Sequence, residues 1–276
     1  MLFSQQLVIV RGGGDLATGV VYRLHHAGFP VIVLELPQPL VVRREVALAT
    51  AVSRGKIIIE TLHGQLAHTM PEAIQLAQTG IIPVLPQPNF EAVRAQLPQP
   101  LPVLVDARMA KRNIDTRKDQ AELVVALGPG FTAGVDCHAV IETMRGHTLG
   151  RVIWQGRALP NTGTPGIVAG KGAERVLRAP KAGVVAWQAA IGDRVQTGQV
   201  LGHVGGEPVC APFDGVVRGL IAPGTAVTPR MKIGDVDARL NREACFTISD
   251  KALAVGAGVL EAVLVYLNDQ WSIIDD

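Results

Sequence analysis

The second half of the chain repeats itself at an offset of 32 residues. Ala179-Pro180 matches Ala211-Pro212, and Gly183-Val184-Val185 matches Gly215-Val216-Val217. Ala190, Gly192 and Val195 match Ala222, Gly224 and Val227, while Gly202 and Val204 match Gly234 and Val236. These are ten identities over the 26 positions from Ala179 to Val204, with Leu201 and Ile233 conservative besides. The shared residues are turn glycines, prolines and inward-facing valines, as expected of two similar β units packed face to face. A chain of 276 residues with 30 glycines and 18 prolines, yet 48% hydrophobic, needs many tight turns between short apolar strands. Its Val, Ile and Leu content excludes disorder, and the lack of a Gly-X-Y period excludes collagen.

This tandem resembles the biotinyl/lipoyl domain, a flattened β-sandwich of two pseudo-symmetric halves. In carriers of that fold the hairpin joining the halves presents the modified lysine. Here the junction reads Val204-Gly205-Gly206-Glu207-Pro208-Val209, and Lys181 and Lys232 lie elsewhere in the repeats. No covalent biotin or lipoate is expected, and the unit reads as a rigid or docking module.

The first half alternates short apolar runs with helical patterns. Candidate strands are Leu7–Val10, Val31–Leu34, Ile57–Glu60, Ile81–Leu85, Val103–Val105 and Leu123–Leu127. Helical spacing runs from Asp15 to Ala27, and again over Arg43–Ser53, Pro71–Gln78 and Phe90–Gln96. Strands apolar on both faces and separated by helices imply a Rossmann-like parallel sheet covered on both sides. The expected division is an α/β domain over 1–150, a β module over 151–240 and a C-terminal segment over 241–276.

The turn after the first strand fits G-x-G-x-x-A with Gly12, Gly14 and Ala17, and Gly13 lies between. Glu35 follows Gly12 by 23 residues, where a ribose-binding carboxylate belongs. Such a turn lets a phosphate approach backbone at a helix N-terminus. Asp15 opposes this, because its charge repels a pyrophosphate and its position suits an N-cap. Two readings therefore stand side by side: a dinucleotide-type cofactor site, or a capped glycine turn with no ligand. Arg43 and Arg44 are phosphate ligands in the first reading and solvated in the second. The three copies of Leu-Pro-Gln-Pro are irregularly spaced and serve as punctuation, mostly at strand exits.

Asp106 ends a strand and opens a basic run through Lys111, Arg112 and Arg117, which either neutralises phosphates or pairs internally. Gly128 and Gly130 form a second glycine turn at a strand end. Were 136–142 helical, His138 and Glu142 would share a face and could move a proton. Asp106, Lys111, His138 and Glu142 are thus the candidate catalytic residues, although no constellation stands on its own. No metal site is expected, since the histidines and cysteines lack ligand spacing. The absence of G-x-S-x-G argues against acyl transfer.

With 26 basic and 24 acidic residues the net charge is +2, which favours neither nucleic acid nor an anionic membrane. Three isolated cysteines suit free thiols in a reducing compartment. Met1–Val10 lacks the basic n-region of a signal peptide. The apolar stretch Ala252–Leu267 is below spanning length and reads as a buried helix, capped by Ser249 or Asp250. Its Gly256 and Gly258 permit close backbone approach, on the α/β domain or at a homo-oligomer interface. The expectation is a soluble, cytoplasmic protein.

Longer stretches resemble the YqeB family, accessory proteins of selenium-dependent molybdenum hydroxylase systems. They are Gly12–Gly19 (GGGDLATG), Leu127–Val135 (LGPGFTAGV), Val140–Val152 (VIETMRGHTLGRV) and Pro160–Gly166 (PNTGTPG). Val209–Thr225 (VCAPFDGVVRGLIAPGT), Lys232–Asp237 (KIGDVD) and Ile248–Ala262 (ISDKALAVGAGVLEA) continue the resemblance to nearly full length. What it implies is maturation or support of a molybdenum hydroxylase, with the apoprotein as partner. The N-terminal part is also distantly similar to the Rossmann region of factors that insert finished molybdenum cofactor. That similarity implies a molybdopterin-dinucleotide-like ligand at the glycine turns. Two alternatives remain: an NAD(P)-dependent oxidoreductase using Gly12–Ala17 and Glu35, and an interaction scaffold with empty glycine turns.

Overall fold

The computed structural model of the chain describes residues 1–163, 166 and 169–274, with side chains described through 269. Of the segment Pro160–Gly166, Thr164 and Pro165 lie outside the described residues. The fold is mixed α/β: one large, mostly parallel sheet, further antiparallel sheets and a C-terminal helix.

The chain opens with β1 (Val8–Arg11), α1 (Asp15–His26) and β2 (Val31–Leu34). The one-turn helix α2 (Ala51–Arg54) leads into a hairpin of β3 (Lys56–Ile59) and β4 (Leu62–Leu66). Next come α3 (Met70–Gln78), β5 (Ile82–Leu85), α4 (Glu91–Arg94), β6 (Val103–Asp106) and β7 (Leu123–Leu127). Four short strands follow: β8 (Thr132–Ala133), β9 (Ala139–Ile141), β10 (Val152–Ile153) and β11 (Gly156–Arg157). The large sheet has the order β10-β9-β7-β6-β1-β2-β5-β4-β3. Only its two outermost pairings, β10 with β9 and β3 with β4, are antiparallel.

Alternate residues of the central strands feed separate cores, as a period of two requires. Val8, Val10, Val31 and Val33 pack with Val20 and Leu24 of α1. Ile9, Ile32 and Leu104 point the other way, onto Ala73 and Ala77 of α3 and onto Phe90. Thr69 starts α3 by accepting the Glu72 amide at 3.3 Å, and Glu72 reaches back to the His68 amide at 2.8 Å.

Three local expectations are corrected. Arg43–Ser53 is two 3-10 turns plus α2 rather than one helix, because its amides bond elsewhere. Ala49 donates to the Gly13 carbonyl and Leu48 to the Thr18 hydroxyl. Phe90–Gln96 contracts to the single turn of α4. The stretch 136–142 contains a strand, β9, whose Val140 and Ile141 pair with β10. His138 and Glu142 therefore flank a strand and share no helix face.

The β module begins with β12 (Val176–Arg178), β13 (Gly183–Trp187), β14 (Arg194–Val195) and β15 (Val200–Val204). It continues through β16 (Glu207–Cys210), β17 (Gly215–Leu220), β18 (Ala226–Val227) and β19 (Lys232–Asp237). Two four-stranded antiparallel sheets result, β12-β19-β17-β14 and β16-β15-β13-β18. The 32-residue offset maps β13, β14 and β15 onto β17, β18 and β19. Each sheet combines two strands of one repeat with the short strand of the other, and β12 or β16 completes it at the opposite edge, so the repeats exchange edge strands. Their inner faces, including Val185, Leu201, Val217 and Ile233, form a third core. Gly205 and Gly206 both have positive φ, 57° and 91°, and make the two-residue turn between β15 and β16.

The final helix, α5 (Asp250–Ile274), has 25 residues, longer than the apolar run alone suggests. The Ser249 hydroxyl accepts the Ala252 amide at 3.2 Å and starts it. By length and composition α5 is long and apolar enough to cross a bilayer. It lies against α1 and the sheet, burying Ala252, Val255, Val259, Ala262 and Val263.

Candidate functional site

β1 sits between β2 and β6, so the chain moves outward in one direction through β2 and β5, then reverses through β6, β7 and β9. At such a reversal the loops leaving neighbouring parallel strands part, and a crevice opens at their C-terminal ends. Here the crevice is a cleft of about 790 Å³. Asp15 and Leu16 after β1, Met109 and Lys111 after β6, Pro129 after β7, and Thr143–Arg145 after β9 form one wall. The β module forms the other, with Arg175 and Arg178 beside or on β12, Arg218 on β17, and Lys232 and Asp235 on β19.

The cleft is cationic. Arg43, Lys111, Arg145 and Lys251 come from outside the module, and Arg175, Arg178, Arg218 and Lys232 from within it. Asp15 and Asp235 are the only carboxylates among its described lining residues. Some of these cations are committed internally. Arg145 grips Asp250 at 2.8 and 3.0 Å, Arg175 holds Asp235 at 2.6 Å, and Arg178 donates to the Arg230 carbonyl. Others are not fully used. The Nε atoms of Arg43 and Arg218 are buried without a hydrogen-bond partner among the described residues. Burial, and then the nearby Arg43 charge, pulls the Arg218 guanidinium below its ordinary pKa. Burial, and then Arg145, does the same to Lys251.

The glycine turn borders this cleft but is backed by the chain itself. A Cβ on Gly12 would meet the Arg108 backbone at 3.0 Å, and one on Gly13 the Ala49 amide at 2.8 Å. Gly14 precedes α1, and Ala17 is buried in the core beneath. Asp15 is the first residue of α1, so its carboxylate does not cap the helix; it lies 3.5 Å from Arg43 instead. Glu35 is buried, and its two oxygens accept the Gly13 amide at 2.7 Å and the Leu36 amide at 2.6 Å. Burial raises its pKa, and these two bonds oppose the rise. The second glycine turn is shaped by packing as well. A Cβ on Gly128 would collide with the Thr143 hydroxyl, and one on Gly130 would come within 2.5 Å of the Arg112 backbone.

Of the four candidate catalytic residues, only Lys111 lines the cleft. Asp106 is buried and held by Arg108 at 2.6 Å and by the Thr116 hydroxyl at 2.6 Å. Arg11 grips Asp115 of the same network at 2.8 Å, and Arg108 and Arg117 of the basic run pair with nearby carboxylates. His138 accepts the Val124 amide through Nδ1 at 2.9 Å. Glu142 accepts the Met144 and Leu159 amides at 2.6 and 2.8 Å. Among the described residues no group of three or more His, Cys, Asp or Glu could hold a metal ion.

Arg218 and Lys232 were not singled out as ligands from the sequence, yet a signal exists. At the 32-residue offset they align with Ala186 and Val200, and Asp235 and Asp237 align with His203 and Gly205. The second repeat carries charge where the first is neutral or apolar. Of these four, Arg218, Lys232 and Asp235 line the cleft, so there the difference between the repeats, rather than their identities, is the signal.

No family model matches the chain. Two solved structures have low overall similarity to it. A succinylglutamate desuccinylase/aspartoacylase from Rhodobacter sphaeroides is 24% identical, with a TM-score of 0.22, over 24% of this chain and 22% of that one. An aspartoacylase family protein from Mesorhizobium loti is 12% identical, with a TM-score of 0.28, over 83% of this chain and 84% of that one. Neither bears on activity. The uncharacterized protein YqeB of Escherichia coli (strain K12) is 47% identical over 265 residues. The match takes in 96% of this chain and 48% of YqeB, so the chain spans about half the length of that relative. Identity at this level over 265 residues supports membership of the YqeB family.

Proposed function

We propose that the chain binds a phosphate-bearing, nucleotide-type ligand in the cleft between its large sheet and its β module. In this reading it serves in the cytoplasm as an accessory factor for maturation of a selenium-dependent molybdenum hydroxylase. The observation that carries the binding part is the charge of the cleft, eight cationic side chains against two carboxylates among its described lining residues. The succession β5-β2-β1-β6-β7-β9 follows the doubly wound order of dinucleotide-binding sheets, which supports a Rossmann-like reading of the fold. The edge exchange between the repeats supports a biotinyl/lipoyl-like module that acts as a wall of the site rather than a carrier. The maturation role and the hydroxylase apoprotein as partner rest on the family resemblance alone.

Calorimetric titration of the purified chain with ATP, CTP, NAD(P) and pterin dinucleotides tests the ligand class. Binding of a pterin dinucleotide supports the reading. A response confined to NAD(P) turns it toward an oxidoreductase, and no response to any of them favours a scaffold. Pull-down of the apo-hydroxylase, repeated with and without the bound ligand, tests the partner.

A further inference from the structure

Arg43 and Arg218 reach the cleft from opposite walls and share one condition. Arg43 is 9% exposed and the Arg218 side chain 11% exposed, and each has a buried Nε with no hydrogen-bond partner among the described residues. Among the described residues each makes only a long ion pair. The carboxylate nearest Arg218 is Asp237, at 3.8 Å, and Arg239 already binds it through three nitrogens, the shortest contact being 2.6 Å. Arg43 stands 3.5 Å from Asp15, and its other terminal nitrogen donates to the Ala244 carbonyl at 3.0 Å. Asp235 is taken by Arg175. Among the described lining residues at this inner end, Arg43, Arg175, Arg218 and Lys232 stand with Asp15 and Asp235, an excess of two positive charges.

Two like charges with orphaned donors cost free energy when nothing lies between them. The backbone supports the arrangement. Pairing of β17 with β19 shifts register between Val217 and Gly219, so Arg218 is the residue at the irregularity. An irregularity of this kind re-aims a side chain and recurs beside functional sites. The first repeat has Ala186 at the equivalent position, so the symmetry of the module does not demand an arginine there.

We propose that the inner end of the cleft is a phosphoryl subsite, which takes a phosphate moiety carrying two negative charges, a terminal phosphate or a bridging diphosphate, between Arg43 of the α/β part and Arg218 of the β module. The inference rests on the phosphate-bearing ligand proposed above and states which part of that ligand is recognised. Guanidinium groups suit it because their planar donors match phosphate oxygens and stay charged when buried. Lys232 adds a third cation from the same wall as Arg218. Bound phosphate ties the two halves of the chain together, and the module contributes to the site through its arginine instead of a modified lysine.

The probes are inorganic phosphate, pyrophosphate, ATP and adenosine, titrated calorimetrically into the full chain and into the variants R218Q and R54Q. The expected result is that pyrophosphate and ATP bind the wild type and adenosine does not. R218Q weakens both phosphate ligands at least tenfold, while R54Q, at a half-exposed arginine outside the cleft that is paired with Glu45, changes them less than threefold. Inorganic phosphate separates a free-anion site from a nucleotide site: comparable affinity for it and for ATP assigns the subsite to the free anion. Without ligand, R218Q melts no lower than the wild type, because it removes a repelling charge; this keeps loss of binding distinct from loss of fold. ATP binding undiminished in R218Q overturns the subsite and leaves the wider cleft reading standing. Failure of every phosphate probe to bind the wild type overturns the subsite, and a pterin dinucleotide that still binds would keep the cleft reading alive.

Discussion

The Glu35 carboxylate and the Gly13 amide are joined at 2.7 Å, and this bond closes the glycine turn from inside. The second oxygen of Glu35 is occupied by the Leu36 amide at 2.6 Å. Two N–H donors therefore point at two acceptors, and an amide cannot replace the carboxylate without setting a donor against a donor. E35Q is expected to cost about 1–3 kcal/mol, the usual penalty for an unsatisfied buried polar group. Urea denaturation at pH 7 measures it. A variant as stable as the wild type would show that the carboxylate is free to serve a ligand instead.

Acid should destabilise the chain through aspartates held by arginines. Burial alone would raise Asp115, but hydrogen bonds from Arg11 and Arg108 override it and hold the carboxyl below its ordinary value. Asp237 is likewise raised by burial and brought lower by Arg239. Asp250 is depressed first by its bonds to Arg145. For each, the folded pKa lies below the unfolded value of 3.8, so the stabilisation is complete above that pH and is lost as pH falls through the folded value. Glu35 runs the opposite way. Its raised pKa favours the protonated folded state, so its ionisation costs stability as pH climbs from 4.5 through the folded value. Thermal midpoints from pH 6 to pH 2.5 should fall most steeply below pH 4. D237N should flatten that fall and cost on the order of 2 kcal/mol at pH 7, where its partner is half exposed to solvent.

The strands that sequence reading found are continuous runs such as Val31–Leu34 and Leu123–Leu127, buried on both faces. β4 escaped because Leu62-His63-Gly64-Gln65-Leu66 places a glycine and two polar residues in an edge hairpin. Asp106, His138 and Glu142 looked chemical because they are polar residues at strand ends. A sequence shows that such groups exist but not which backbone amide or arginine they satisfy, and here the neighbours take them. The cleft itself depends on the module approaching the sheet, where the Arg44 Nε donates to the Leu220 carbonyl at 2.6 Å. No local pattern encodes that approach. Its trace is the charge asymmetry between the two repeats.

The three cysteines should separate cleanly in reactivity. Cys210 is exposed, whereas Cys137 and Cys245 are buried. Burial, then the Asp136 and Asp106 charges, pushes the Cys137 thiol up to about 12, and burial raises Cys245 too. Since the thiolate is the nucleophile, both stay inert in the native chain. An aromatic disulfide reagent at pH 8 should titrate one thiol within minutes and the other two only after denaturant is added. Two or more fast thiols would contradict the burial of Cys137 or Cys245.

The contact between α1 and α5 should be the least tolerant of added volume. A Cβ on Gly256 would strike the Gly19 carbonyl, and one on Gly19 would strike the Ala252 carbonyl. The two helices therefore meet backbone to backbone, and no side-chain rotation can relieve an inserted methyl. G256A should cost about 3 kcal/mol, at the upper end for overpacking, although alanine is the better helix former by about 1 kcal/mol. Because α5 also packs on the sheet beneath the cleft wall, the loss should appear in global urea unfolding rather than as local fraying. A257S, at an exposed position one residue along, should change stability by no more than about 0.5 kcal/mol. The signs of the pair decide the matter: propensity alone makes G256A stabilising, and only a contact between the two backbones reverses it.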